Sequence, residues 1–253
     1  MSDEPLISII TPAYNAERFI EATMNSVVAQ TYKNWEHLVV VDQNSKDSTL
    51  AIVRSRATSD PRLKVITDTK ALGAANNRNL ALDCARGEFI AMLDADDLWL
   101  PEKLQKQLYF MENNQHNFSF TSYQRMSEDG KTLGVRQRIP TRVSYEDLLK
   151  NNSIACLTVM FRKAPFQDLR FQEHGWEDMA FWLQILKRTA YAYGLNEVFA
   201  FYRIVDGSRS NNKIFALKMR WNTYRLVERL SLLRSLQLFS SYAISSLYKY
   251  KSF

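Results

Sequence analysis

"GEFIAMLDADDLWLPEKL", residues 87 to 104, runs an apolar, strand-like segment directly into Asp94, Asp96 and Asp97. Five apolar residues from Phe89 to Leu93 have the length and composition of a buried strand, and Pro101 introduces a helical spacing behind the acids. Working outward from this stretch, the same alternation recurs. "LISIITP" (6–12), "WEHLVVVD" (35–42) and "RLKVITD" (62–68) read as buried strands. Between them lie Phe19, Ile20, Met24, Val27 and Val28 at helical spacing, a helix-like segment after Asp47, and "AANNRNLALDCA" (74–85). Strands alternating with helices predict an α/β fold whose mostly parallel central sheet has helices on both faces. Ligands of such sheets collect at the carboxyl ends of the strands. Three of these ends carry polar clusters, "TPAYN", "DQNSKD" and "DADD".

Downstream, "NFSFTSYQRM" (117–126), "SIACLTVMFRK" (153–163) and "AYAYGLNEVFAFYRI" (190–204) read as strands, with "WEDMAFWLQILKRT" (176–189) a helix between the last two. From about Ile214 the pattern is helical, with Leu232, Leu236, Phe239, Ala243 and Leu247 three or four apart. No repeat or low-complexity linker interrupts the 253 residues, enough for one large domain, or a domain with an appendage, around a sizeable core. We divide them into a body, 1–212, of two parts (1–107 and 108–212), and a basic amphipathic helical tail, 213–253.

The net charge is +6. Residues 213–253 hold eight lysines and arginines against one acid, Glu228, so this segment carries +7 and the remainder −1. A basic tail on a nearly neutral body fits an anionic surface or ligand, not nucleic acid, which needs a basic stripe on the body too. Cys84 and Cys156, far apart in apolar surroundings, read as buried free thiols, not a disulfide or zinc framework. The opening "MSDEPLISII" lacks the basic start and apolar length of a signal peptide, and no apolar run could span a bilayer, so a cytoplasmic location is expected.

Three carboxylates within four residues repel one another unless a cation offsets them. Hard oxygen ligands favour Mg²⁺ or Mn²⁺, which keep phosphate and water in their shell, so the cluster reads as a metal–diphosphate site. The plainer reading, acids ahead of a helix that begins at Pro101, stands equal to it on this motif alone. The seven glycines form neither a G-x-G-x-x-G nor a G-x-x-x-x-G-K-[ST], no G-x-S-x-G or H-E-x-x-H occurs, and His37, His116 and His174 have no ligand spacing.

Taken in order, "SIITPAYNAERFIEATMNSVVAQTYKNWEHLVVVD", "GAANNRN", "GEFIAMLDADDLWLPEKL" and "WEDMAFW" resemble the family 2 glycosyltransferases with the GT-A fold, over residues 6–107 above all. "FSFTSY", "LLKNNSIACLTVMFRK", "AYGLNEVFAFYR" and "SRSNNK" resemble the branch that builds bacterial teichuronic acid, capsule and O-antigen. The resemblance implies a nucleotide-sugar donor, UDP-linked, a divalent Mn²⁺ or Mg²⁺ and an inverting transfer, and it makes 1–212 a GT-A catalytic domain with a nucleotide-sugar-binding half (1–107) and an acceptor-binding half (108–212). It places Thr11, Pro12, Ala13 and Tyr14 in the nucleoside pocket, with Asp42 near the base or ribose. It makes Asp94, Ala95 and Asp96 the D-x-D motif, with Asp96 the direct metal ligand and Asp94 nearer the ribose. Asp178 becomes the general base, with Asp97, Glu177 and Trp176 as supporting residues of the site. Without the resemblance, Glu177 and Asp178 read as first-turn acids of an amphipathic helix.

Arg78 matches a basic position that touches donor phosphates or braces the acidic loop; by its own pattern it is a surface arginine of a helix. Arg203, Ser208, Ser210 and Lys213 match a loop that closes on the donor, or form a plain solvated loop. Gln43 departs from the family, which has a second Asp there for uracil. An amide can accept the same hydrogen bond, so uridine stays feasible, and guanine presents a comparable edge. Acceptors in this branch are polyprenyl-diphosphate-linked sugars. An anionic membrane surface is therefore an expected partner of the tail, with Trp221, Tyr224, Tyr242, Tyr248 and Tyr250 suited to the headgroup region. The rival reading is a non-catalytic sugar-nucleotide-binding subunit that docks partner enzymes.

Overall fold

The computed structural model describes residues 4–67, 73–205 and 213–249. Its first half follows the expected alternation: β1 (Ile7–Ala13), α1 (Ile20–Val28), β2 (Trp35–Val41), α2 (Thr49–Ser59), β3 (Leu63–Ile66), α3 (Gly73–Cys84) and β4 (Phe89–Met92). The near-continuous apolar runs of β1, β2 and β4 follow from their being covered on both faces, and β2 and β4 are buried at every residue. β1 pairs in parallel with β2 and with β4, and β3 lies parallel outside β2.

β5 (Leu98–Trp99) and α4 (Lys103–Asn113) then lead into β6 (Phe118–Met126), β7 (Leu133–Gln137), β8 (Arg142–Val143), α5 (Tyr145–Lys150) and β9 (Met160–Arg162). α6 (Glu177–Leu186), β10 (Ala192–Arg203), α7 (Lys213–Asn222) and α8 (Leu232–Lys249) complete the chain order. The sheet runs β3-β2-β1-β4-β9-β6-β10-β5, with β7 paired to β6 and β8 to β10. Because β9 is antiparallel to both β4 and β6, and β10 is parallel to β6, strands β1, β2, β4, β6 and β10 all end on one edge. That edge is where the polar clusters meet.

Several expectations change. The segment 153–163 yields only three strand residues, because Cys156–Thr158 coil into a 3₁₀ turn whose Leu157 carbonyl accepts the Trp99 indole N–H at 2.8 Å. The acidic stretch hides a strand: β5 pairs antiparallel with Ala200 and Phe201. α4 begins at Lys103, not Pro101, which sits in the turn before it. Cys156 is buried but Cys84 is exposed, since Ala81, Leu82 and Ala85 occupy the inward face of the end of α3.

The aromatic residues of the C-terminal helices also go elsewhere. Tyr224 is wholly buried and donates to Leu149 O at 2.6 Å, Trp221 packs edge-on against Phe239, and Tyr242 lies under the Arg220 guanidinium at 4.3 Å. α8 turns Ser235 and Leu238 inward and leaves Leu232 (56%) and Leu236 (48%) exposed, because apolar residues occur on two sides of the helix and only one can face the body. Tyr248 and Tyr250 lie outside the side chains described.

Candidate active site

β4 delivers the chain to Leu93, and the acids follow in a tight turn closed by Asp97 N donating to Asp94 O. The Thr23 hydroxyl of α1 sits 2.8 Å from Ala95 O and 2.9 Å from Asp97 O, holding the turn from beneath. Asp97 is buried; its Oδ1 accepts from Arg203 N at 2.8 Å, whereas Oδ2 has no hydrogen-bond partner. Burial first, and then the charges of Asp96 and Asp94, push the Asp97 carboxyl well up. Burial and the Asp94 charge likewise push Asp96 up to about 6.

Of the three, Asp94 has a direct ion pair, 2.7 Å from Arg78, whereas the Arg203 guanidinium lowers Asp96 and Asp97 by its charge without overcoming their burial. Arg78 is only 5% exposed, which rules out the surface reading, and its other arm lies 3.2 Å from Glu177 at the start of α6. The guanidinium therefore bridges the acidic turn and the segment carrying Asp178. Asp178 is half-buried and accepts from Met179 N at 2.6 Å. Burial and the Glu177 charge, opposed by Arg78, push it up to about 6. A carboxylate so placed is ionised at neutral pH yet basic enough to take a proton.

The residues around Arg78 were not singled out from sequence. Asn77 donates to Asp42 Oδ2, Asn79 exchanges hydrogen bonds of 2.8 and 2.9 Å with the Phe171 backbone, and Asn76 pairs with Glu173. Consecutive polar residues spaced 100° apart sweep most of the way round a helix, so some of "NNRN" had to point inward. That was the available signal.

The nucleoside residues separate. Thr11 is buried with its hydroxyl 2.9 Å from His37 Nε2, and burial pushes this imidazole down to about 3, so it stays neutral. Ala13 is buried and its carbonyl accepts from Asp42 N. Pro12 is half-buried and Tyr14 is 58% exposed, so these two offer side-chain surface at the edge. Asp42 is buried, and its carboxylate accepts from Asn44 N, Gly73 N and Asn77 Nδ2 at 2.8 to 3.1 Å, tying β2 to the start of α3. Gly73 takes a φ of +79° there, which suits glycine. Gln43 is exposed beside it.

Arg203 is buried; Nε donates to Asp96 O and one arm to Glu128 O, both at 2.7 Å, while the guanidinium lies over Phe19. It braces the acidic turn. Ser208 and Ser210 lie outside the described residues, and Lys213 opens α7, its side chain undescribed. Trp176 is half-buried against Phe215.

Among the described residues, no group of three or more His, Cys, Asp or Glu side chains could hold a metal ion by itself. Asp94 and Asp96 instead form a two-carboxylate set with unneutralised negative charge, which fits Mg²⁺ or Mn²⁺ bringing oxygen ligands from a diphosphate. Among the described residues no side chain hydrogen-bonds to the Asp96 carboxylate and Asp94 is committed to Arg78, so of the two Asp96 is the one that could ligate a metal directly.

The profile of glycosyl transferase family 2 matches residues 8–172. The chain belongs to glycosyl transferase family 2. It is therefore an enzyme that transfers glycosyl groups, and its relatives match it along almost all its length. It is 40% identical to the putative teichuronic acid biosynthesis glycosyltransferase TuaG of Bacillus subtilis, over 97% of this chain and 98% of that protein. It is 38% identical to an Escherichia coli UDP-Glc:alpha-D-GlcNAc-diphosphoundecaprenol beta-1,3-glucosyltransferase, WfgD, over 87% and 85%. The fold is shared with S. aureus TarS, solved with UDP-GlcNAc (TM-score 0.69, 22% identity, 94% of this chain and 71% of that one). It is shared also with the Pyrobaculum calidifontis mannosyltransferase PcManGT, solved with GDP-Man and Mn²⁺ (TM-score 0.70, 18% identity, 100% and 77%). This is the GT-A architecture, in the bacterial surface-polysaccharide branch of the family.

Proposed function

We propose that this family 2 enzyme performs a metal-dependent, inverting transfer of a hexose or N-acetylhexosamine from a UDP-linked donor to a lipid-diphosphate-linked saccharide, forming a β-linkage. The observation that carries the proposal is the placement of Asp178 across Arg78 from the Asp94–Asp96 pair, with its pKa raised to about 6. Two carboxylate roles are thereby separated in space, one for the leaving diphosphate and one for the attacking hydroxyl.

Asp178 takes the proton of an acceptor hydroxyl as that oxygen bonds to the anomeric carbon. The bond from the same carbon to the diphosphate breaks on the opposite face, so an α-linked donor gives a β-linked product. Asp96, with Asp94 behind it, would hold the divalent ion, which supplies charge neutralisation to the departing diphosphate. Arg78 keeps Asp94 and Glu177 from repelling each other across the site. Pro12, Tyr14 and Gln43 border the nucleoside. The E. coli relatives, whose names specify UDP-Glc and GlcNAc-diphosphoundecaprenol, support this donor and acceptor class.

Such an acceptor brings the enzyme to a membrane surface. No helix among the described residues is long and apolar enough to cross one. The exposed Leu232, Leu233 and Leu236 at the start of α8, in a segment whose sequence carries a net charge of +7, form the face suited to anionic lipid. Nucleotide sugars incubated with Mn²⁺ and a GlcNAc-diphosphate-lipid analogue, read by mass spectrometry, test the transfer. UDP binding without transfer from any donor makes the chain a sugar-nucleotide-binding subunit instead. Flotation with anionic liposomes tests the surface: Leu232→Gln with Leu233→Gln weakens binding if the face is used, and unchanged binding removes it.

A further inference from the structure

The turn that joins α7 to α8 is π-helical over Thr223–Val227, with Glu228 N donating to Thr223 O. Isolated π-turns cost regular hydrogen bonding and cluster at functional sites. This one lies against the segment that enters α6. Gly175 has a φ of +84°, and a Cβ on it would stand 2.4 Å from Thr223 Oγ1 and 2.9 Å from Thr223 N, so two backbones touch with no room for a side chain. The wholly buried Thr223 hydroxyl accepts from Trp176 N at 3.0 Å and donates to Met219 O at 2.9 Å. The Trp176 ring meets Phe215 of α7 edge-on, and Arg220 of α7 reaches Met179 Sδ at 2.9 Å. Gly175, Trp176 and Met179 are thus held from α7 and the π-turn, and the two residues between them are Glu177 and Asp178.

Trp176, at the N-terminal boundary of α6, makes no side-chain cap bond, and its own N–H donates to the Thr223 hydroxyl, two residues before Asp178. We propose that Thr223 is a positioning residue for Asp178: its hydroxyl, seated by the π-turn, sets the angle at which α6 begins and hence where the base meets the acceptor hydroxyl. The C-terminal helices then belong to the catalytic machinery as well as to any membrane face. This rests on Asp178 being the base.

A base displaced by a fraction of an ångström loses rate, not donor affinity, and misplacement by about 1 Å can cost about 100-fold. Thr223→Val keeps the shape and removes both hydrogen bonds. It lowers kcat roughly 10- to 100-fold with donor KM and UDP affinity unchanged, and Thr223→Ser restores kcat to within a few-fold. A merely structural threonine lowers the melting temperature while kcat per folded molecule stays at the wild-type value, and that result overturns the proposal. Should Thr223→Val not fold, Thr223→Ala and Arg220→Met, which loosens Met179 from the same segment, are read in the same way, and wild-type kcat in whichever folds also overturns it. Asp178→Asn is assayed alongside. Full turnover in that variant sinks the base assignment itself, whereas an inactive Asp178→Asn beside a wild-type Thr223→Val sinks the positioning role alone.

Discussion

Glu36 and Asp96 stand at opposite ends of the same layer of parallel strands. Glu36, at the entering end of β2, is buried with Ser8 Oγ and Arg86 N at 2.7 Å, Lys64 Nζ at 2.8 Å and the Arg86 guanidinium at 3.0 Å. Burial alone would raise it, but Lys64, the Arg86 N–H and the Ser8 hydroxyl overcome that and bring it down to about 2. Asp96, at the leaving end, has burial and Asp94 against it and rises to about 6. A carboxylate that serves the fold is surrounded by donors. One that serves a ligand is left short of them, and its missing partners describe what binds.

The sharpest way to break this contrast is at the leaving end. Asp178→Asn reduces turnover about 1,000-fold while the fold survives, measured by product formation and circular dichroism. Asp96→Ala reduces turnover about 100- to 1,000-fold without lowering the melting temperature, because it removes a repelled carboxylate. Chelation weakens UDP binding in the wild type, and Mn²⁺ restores it. A loss of stability in Asp96→Ala, or UDP binding indifferent to chelation, would erase the distinction.

At the entering end the effect is on stability. Glu36→Ala costs about 2 kcal/mol in denaturant titrations, since the buried Ser8 hydroxyl and the Arg86 N–H lose their acceptor, and kcat per folded molecule is unchanged. The sign follows from a folded pKa depressed below the unfolded value of about 4.3. The stabilisation is complete above that pH and fades as pH falls toward about 2, so wild type and variant converge there. With metal saturating, kcat/KM of the wild type drops about tenfold per pH unit below about 6, as Asp178 protonates. The smallest effect is expected of Gln43→Ala, a rise of about fivefold in donor KM, the worth of one hydrogen bond. An unchanged KM makes Gln43 a loop filler.

Much of this contrast was legible in the residues. Apolar runs separated by helical spacing placed β1, β2, β3 and β4, and acids directly behind a strand placed the acidic turn at a carboxyl end. Glu177 and Asp178 were legible as a pair at a helix start, though acids there are ordinary, and only the resemblance made Asp178 a base. The partners of these groups were not legible. Arg78 joins residues 16 and 99 positions away, and Thr223 reaches Trp176 across 47. Arg203 read as a donor-loop residue because its polar neighbourhood resembles one, yet it is spent on two backbone carbonyls, Asp96 O in the acidic turn and Glu128 O beyond β6.

Local order, the strand and helix periods and the sites where charge accumulates were determined by the sequence itself, because they depend on neighbours a few residues apart. Which carboxylates are answered, which side of α8 faces water, and whether the C-terminal helices hang free or grip the start of α6 were decided only in the folded molecule. Those outcomes depend on desolvation and on long-range hydrogen bonds, which acquire their strength only when distant segments exclude water together.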